Sequence, residues 1–150
     1  MISLVLIVAA VGYFTSGENS SPSENSSEAG LSENQISING KVLDIIWART
    51  SEEQEAGLGG KESLPENSGM LFVFDVPEEV GIWMENMLFP LDVVWADETG
   101  KIISMQENLD PETYPESFYP QSPAKYVLET NAGFLASNNI KIGDVIKIGE

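Results

Sequence analysis

The segment from Gly69 to Asp92, GMLFVFDVPEEVGIWMENMLFPLD, constrains the fold of this chain more than any other. It is dominated by apolar and aromatic side chains, among them Trp83, Met84 and Phe89, and it ends in a Pro-Leu-Asp turn. A soluble domain rarely leaves so large an apolar block in water. The segment therefore forms either the interior of a β-core or one wall of a binding cleft.

Short apolar runs of strand type recur on both sides of this block, separated by turn residues. Val76–Glu79 reads as a turn, Asp97–Gly100 predicts a hairpin between 93–96 and 101–106, and the Pro- and Tyr-rich segment 108–122 reads as a long surface loop. Strands are predicted at 42–48, 70–75, 81–85, 91–96, 101–106, 124–130 and 144–148.

Two short helices interrupt the strands. Thr50 and Glu53 form a capping-box pattern, and Gly57 or Gly59 can end the helix that it starts. A second helix of one or two turns is predicted at 132–138. Together, these strands and helices predict a mostly β fold, a compact antiparallel β-barrel or sandwich-like domain with one or two short helices.

The chain divides into three parts. Residues 1–15 are apolar and carry no charged side chain, which is typical of a signal peptide or an N-terminal membrane anchor. A start upstream of Met1 would supply the charge and length that this segment lacks. Residues 16–35 have the Ser/Asn/Glu composition of a disordered acidic linker, and 36–150 form the β-domain. We therefore expect an extracytoplasmic domain, either membrane-anchored or secreted.

The composition excludes several classes of partner and of reaction. The chain has 24 acidic and 7 basic side chains, a net charge of −17, which argues against nucleic acid as a partner. It contains neither histidine nor cysteine, so disulfides, thiolate nucleophiles, and His- or Cys-ligated metals are excluded. No cofactor is evident from the sequence.

Four ordered motifs resemble the family known as domain of unknown function 192. The resemblance covers Val42 to Ile148 and implies a small, mostly β fold that is often exported, with no assigned activity. Two positions depart from the usual pattern: the chain has Gly59-Gly60-Lys61 where a Met and an Arg are usual, and Met87 where a Thr is usual. The motifs are Gly69-Met70-Leu71-Phe72-Val73-Phe74, Trp83-Met84-Glu85-Asn86-Met87 with Pro90-Leu91-Asp92, Ala124 to Gly133 (AKYVLETNAG), and Gly143-Asp144.

Carboxylates are the remaining candidates for a site. If Glu85, Asp92 and Glu129 converge, they could serve glycoside hydrolysis, or hold Ca²⁺ with the amide of Asn86 or Asn131. In the structural alternative, Asp92 caps the turn after Pro90, Glu129 pairs with a lysine or a backbone N–H, and Glu85 is solvated.

Aromatic residues offer a second kind of site. Tyr119 and its neighbours in the 108–122 loop could stack on a sugar, with Trp83 and Trp95 either joining that platform or filling the core. We expect the cleft between the Glu85–Asp92 bend and this loop. The predicted ligand-binding residues are Trp83, Glu85, Asn86, Asp92, Tyr119 and Glu129.

These features favour a non-enzymatic module that binds a small molecule, a glycan or a protein, with the apolar N-terminal segment contacting a membrane. The alternative is a carboxylate-dependent hydrolase of cell-envelope glycan; no catalytic residue is assigned.

Overall fold

A computed structural model describes residues 30–149. The expected signal or anchor and most of the expected linker lie outside the described residues. No helix within the described part of the chain is both long and apolar enough to cross a bilayer.

The described residues form nine strands and two short α-helices. A single 3-10 turn at Pro111–Thr113 lies in the segment predicted as a long loop. The elements are β1 (Gln35–Ile38), β2 (Lys41–Ala48), α1 (Ser51–Ala56), β3 (Ser68–Glu78), β4 (Ile82–Trp83), β5 (Leu91–Ala96), β6 (Ile102–Leu109), β7 (Ser117–Phe118), β8 (Ala124–Asn131), α2 (Phe134–Ser137) and β9 (Lys147–Ile148).

Seven of the strands form one curled sheet in the order β6-β5-β8-β3-β2-β1-β9, and β4 pairs with β7 in a small second sheet. The predicted mostly β fold with two short helices is confirmed. The sheet is not wholly antiparallel, because β2 and β3 run parallel. Parallel neighbours need a crossover connection, and α1 lies within it.

The predictions for individual strands hold best where strong turn signals bound them. The hairpin of β5 and β6 is confirmed, and so is the long strand β8. The first hairpin was missed: Asn39 and Gly40 have φ values of 52° and 78°, the geometry that a two-residue turn between β1 and β2 requires.

The predicted turn at Val76–Glu79 is wrong, since β3 continues to Glu78. The register between β3 and β8 shifts between Val73 and Glu78, so Pro77 lies at an irregularity of the ladder. A proline, which has no N–H to donate, is tolerated at such a place. This irregular end of β3 leads directly into the segment that forms one wall of the site described below.

Alternating side chains along the central strands build two cores, one on each face of the large sheet. The first face, called here the cleft face, carries Phe72, Val93 and Trp95. The opposite face carries Leu71, Val94 and Leu128 and is covered by Leu135 of α2. Because successive strand residues point to opposite faces, a shift of one position decides which core a side chain enters.

Candidate functional site

A cleft of about 360 Å³ opens on the cleft face, between α1 with the segment that follows it and the bend after β4. Half of the lining residues are apolar or aromatic, five are polar or acidic and three are glycines, and Glu129 of β8 contributes a carboxyl group from the sheet. The lining residues are 54–59, Phe72, Phe74, 80–83, 85–87 and Glu129.

Local sequence signals build the α1 wall. The Thr50 side chain accepts the Glu53 N–H at 3.2 Å, and the Glu53 carboxylate accepts the Thr50 N–H at 3.0 Å, which confirms the predicted capping box. Backbone N–H groups of Arg49 and Thr50 lower the pKa of Glu53. Gln54 then fixes the helix to the sheet, because its side-chain amide donates to the Val73 carbonyl at 2.9 Å.

The segment after α1 packs closely on the bend. The Gly60 N–H donates to the Asn86 carbonyl at 2.8 Å. At Gly59 an added Cβ would lie 3.3 Å from the carbonyl oxygens of Ala56 and Glu85, closer than most real Cβ contacts. A larger residue at this position would push the two backbones apart by a few tenths of an ångström, so Gly59 favours their close approach.

The aromatic loop supports the bend from its other side. The rings of Trp83 and Tyr114 meet edge to face with centroids 5.9 Å apart, and the Tyr114 hydroxyl donates to the Glu85 carboxylate at 3.3 Å. The bend and the 108–122 loop are thus in contact where the sequence predicted a cleft between them. The loop does not line the cleft, however, and α1 forms the wall where the loop was expected.

Glu129 is the most perturbed group in the described part of the chain. It is only 5% exposed, and its cross-strand neighbours are Met70 and Val93, both apolar. Burial raises its pKa from 4.5 to about 8, and no hydrogen bond or charged neighbour contributes to the shift. The expected partner, a lysine or a backbone N–H, is therefore not found. At neutral pH the free protein holds this group mostly as the neutral acid.

Asp92 has a different position and role. It is 1% exposed, and it lies opposite Thr130 rather than Glu129, so its side chain enters the opposite core. Its two oxygens accept the Asn108 N–H at 2.8 Å and the Leu135 N–H at 2.9 Å. Asp92 does not line the cleft and does not cap the turn after Pro90; it ties the end of β6 and the start of α2 to β5.

The cleft therefore brings together four of the six predicted residues, namely Trp83, Glu85, Asn86 and Glu129. Tyr119 stays outside the lining. Its ring covers Gly81, where an added Cβ would lie 2.6 Å from the ring. Trp83, one of the two tryptophans considered for the core, is 53% exposed, whereas Trp95 is fully buried and donates from its indole to the Val80 carbonyl at 2.9 Å.

Sequence reasoning missed the part of the lining that α1 and β3 supply. Phe72 and Phe74 of β3 stand two positions apart, and this spacing was a usable signal that both face one side of a strand. No comparable signal placed Glu55 and Ala56 beside them, because the crossover that docks α1 is a tertiary feature. Within residues 30–149 no three acidic side chains lie close enough together to hold a metal ion.

Comparison with known proteins assigns the chain to a family. The model for DUF192, described as Uncharacterized ACR, matches residues 34–148. The chain belongs to this family. Of its two departures from the usual DUF192 pattern, Met87 lines the cleft, and the Gly59-Gly60-Lys61 segment places Gly59 in the lining and Lys61 exposed outside it.

Two crystal structures are similar to this DUF192 domain. A protein of unknown function from Novosphingobium aromaticivorans DSM 12444 is 29% identical, with a TM-score of 0.72 over 75% of this chain and 83% of that one. A Sinorhizobium meliloti 1021 protein, described as a candidate transcription regulator, is 27% identical, with a TM-score of 0.72 over 80% of this chain and 96% of that one. No curated protein matches the chain.

Proposed function

We propose that this domain is a non-enzymatic binding module whose ligand enters the cleft above Glu129. The observation that carries the proposal is a carboxyl group that is 5% exposed, has no partner for its acidic group and lines an open cleft. The Glu129 carboxyl oxygens are not fully enclosed, since the one fully buried side-chain polar atom without a partner among the described residues is Thr130 Oγ1. A ligand in the cleft can therefore contact the Glu129 carboxyl group, which makes no hydrogen bond within the protein. Small-molecule sites combine apolar and aromatic surface with a few polar groups that fix the ligand's orientation, and this cleft contains both kinds of side chain.

The proposal includes an extracytoplasmic location, with residues 1–15 as the signal peptide or anchor and 16–35 as the tether. Its support is the uncharged apolar start followed by a polar segment. Fractionation of source cells should find the domain outside the cytoplasmic membrane, and a domain confined to the cytosol would contradict this part.

The name of the Sinorhizobium relative raises DNA as an alternative ligand. Residues 36–150 carry 20 acidic and 7 basic side chains. DNA binding needs clustered Lys and Arg side chains that neutralise phosphates, and this balance opposes it. We therefore propose a ligand for the cleft and not a nucleic acid.

Binding can be tested by NMR on the full-length chain in a neutral detergent. Separate titrations with n-butylammonium, n-butanol, butyrate and chitotetraose sample cationic, neutral, anionic and glycan ligands. We expect at least one of them to shift the amide signals of Gly57, Gly59 and Gly81, which line the cleft. Ala56→Trp should obstruct the cleft and abolish the shift.

Ala136→Trp is the matched control, because Ala136 is also an exposed helical alanine but lies on α2, outside the cleft lining. It should bind as the parent does. If no probe moves the cleft amides of the parent or of Ala136→Trp, the proposed function is wrong.

The hydrolase alternative has one specific observation in its favour. A carboxyl group that burial keeps protonated near neutral pH is a suitable general acid, and Glu85 supplies a second carboxyl group in the same cleft. Shortening of chitotetraose by the parent, lost in Glu129→Gln, would favour the enzyme. An unchanged oligosaccharide would favour the binding module.

A further inference from the structure

The ionisable side chains that line the cleft are all acidic. Glu55 comes from α1, Glu85 from the bend and Glu129 from β8, and no Lys or Arg belongs to the lining formed by the described residues. The lining residues from β3 and β4 are apolar or aromatic and do not titrate. A ligand that enters this cleft therefore meets negative potential at its rim and a carboxyl group inside.

Glu129 is the group for which such a ligand must supply a hydrogen-bond or charge partner. Its flanking strands present Met70 and Val93, which offer no hydrogen bond, so the carboxylate form has nothing in the protein to stabilise it. A cation placed against it would favour the ionised form, as an opposite charge within about 4–6 Å does in general. A neutral alcohol would form an uncharged hydrogen bond with the protonated acid, which is weaker than the charge-assisted hydrogen bond between a cation and the carboxylate.

The walls favour an organic cation over a bare ion. Phe72, Phe74 and Trp83 supply aromatic surface, and aromatic faces attract ammonium and guanidinium groups. With about 360 Å³, the cleft lies at the small end of the usual range for ligand pockets, which suits a group the size of one side chain. A bare metal ion would need several oxygen ligands close together, and no three acidic side chains of residues 30–149 provide them.

We propose that the cleft binds an organic cation, an ammonium or guanidinium group on a short apolar stem, with the charged end against Glu129 and the stem along Phe72 and Phe74. This rests on the proposed function and names the chemical class of its ligand. A free amine and the Lys or Arg side chain of a peptide share this chemistry.

The proposal links binding to the loss of a proton. The free protein holds Glu129 with a pKa of about 8, and the cation requires its ionised form, so binding below pH 8 must release the proton. Affinity should then fall about tenfold for each pH unit below 8 and level off above it. The other titratable groups facing the cleft are Glu55 and Glu85, on α1 and the bend.

The test is a calorimetric titration of the full-length chain with n-butylammonium and n-butanol at pH 6 and pH 9. We expect n-butylammonium to bind about 90-fold more tightly at pH 9 than at pH 6, the ratio of the ionised fractions of a group with a pKa of about 8. Glu129→Gln should lose most of the binding and all of this pH dependence, while the exposed Glu52→Gln on α1 should keep both.

The outcomes separate the two proposals. The organic-cation proposal would be wrong if butylammonium affinity did not change with pH, or if butanol bound as tightly as butylammonium at pH 9. Either result would still leave the cleft as a binding site. No binding by either probe, together with no shift of the cleft amides by any of the four NMR probes, would overturn both. If Nα-acetyl-lysine amide, which keeps its side-chain ammonium, binds more tightly than butylammonium, the ligand is the side chain of a peptide. If the two bind equally, the ligand is a free amine.

Discussion

At the scale of single residues, two buried carboxyl groups on neighbouring strands have opposite chemical roles. Asp92 has a backbone N–H for each of its oxygens, whereas Glu129 has no partner. A carboxylate that is hydrogen-bonded in the fold contributes to its stability, and one that is buried without partners reduces it once ionised. The difference predicts opposite effects of removing the two charges.

Glu129→Gln should make the protein more stable at high pH. Between pH 4.5 and about 8 the folded state keeps a proton that the unfolded state has released, so the free energy of unfolding decreases as pH rises through this window. The glutamine cannot ionise, so its advantage over the parent should be on the order of a few kcal/mol at pH 9 and should shrink toward pH 5.

Urea unfolding of both proteins at pH 5, 7 and 9 measures this difference. Glu98→Gln, a change on an exposed turn residue, is the control and should match the parent throughout. A Glu129→Gln protein that is less stable than the parent at pH 9 would show that the carboxylate has a partner in the fold.

Asp92→Ala should destabilise the domain by roughly 2–4 kcal/mol, because it leaves the N–H groups of Asn108 and Leu135 without an acceptor. Ligand affinity in the folded protein should change little, since Asp92 faces the opposite core. Thermal midpoints compared with those of Glu98→Ala check the first part, and the butylammonium titration checks the second. Equal midpoints for Asp92→Ala and the parent would contradict the structural role.

At the scale of elements, the site depends on how one short helix is held. α1 has six residues, none of them buried, so helical propensity and core packing do little to hold it. It is fixed instead by its capping box and by Gln54, which donates to the Val73 carbonyl. Its stability therefore determines one wall of the cleft.

Thr50→Ala should cost about 1 kcal/mol of stability, because the Glu53 N–H loses its acceptor at the start of α1. Binding of the cleft probe should weaken as the wall loosens. Ser51→Ala is the matched control, since Ser51 is exposed at the next position and takes no part in the capping box. Equal unfolding free energies for the two variants would show that the cap does not stabilise α1.

At the scale of the whole molecule, the two faces of the large sheet differ in how fully other elements cover them. Its opposite face is covered by α2 and joined to it through Asp92, while its cleft face is only partly covered by α1 and the bend. Trp83 at the end of β4 and Leu88 in the bend are among the exposed large apolar side chains of the described residues. Within the described residues the cleft therefore lies on the less covered face of the sheet, and the acidic side chains Glu55 and Glu85 belong to its lining.

Features that depend on residues close together in the chain are predictable from the amino-acid sequence alone. The capping box of Thr50, the hairpin at Asp97–Gly100 and the strand Ala124–Asn131 follow from local turn and propensity signals. Four motifs in order were enough to identify the family. Asn39-Gly40 is an equally local signal, typical of the two-residue turn that joins β1 and β2.

Which carboxyl groups share a site depends instead on strand pairing between distant parts of the chain. Glu129 and Asp92 lie on paired strands, and the register between β5 and β8 places Asp92 opposite Thr130, one position from Glu129. That single position sends the two side chains to opposite faces of the sheet, a distinction that no local pattern encodes. The crossover that places α1 over the cleft face likewise depends on the parallel pairing of β2 with β3, which joins residues far apart in the chain.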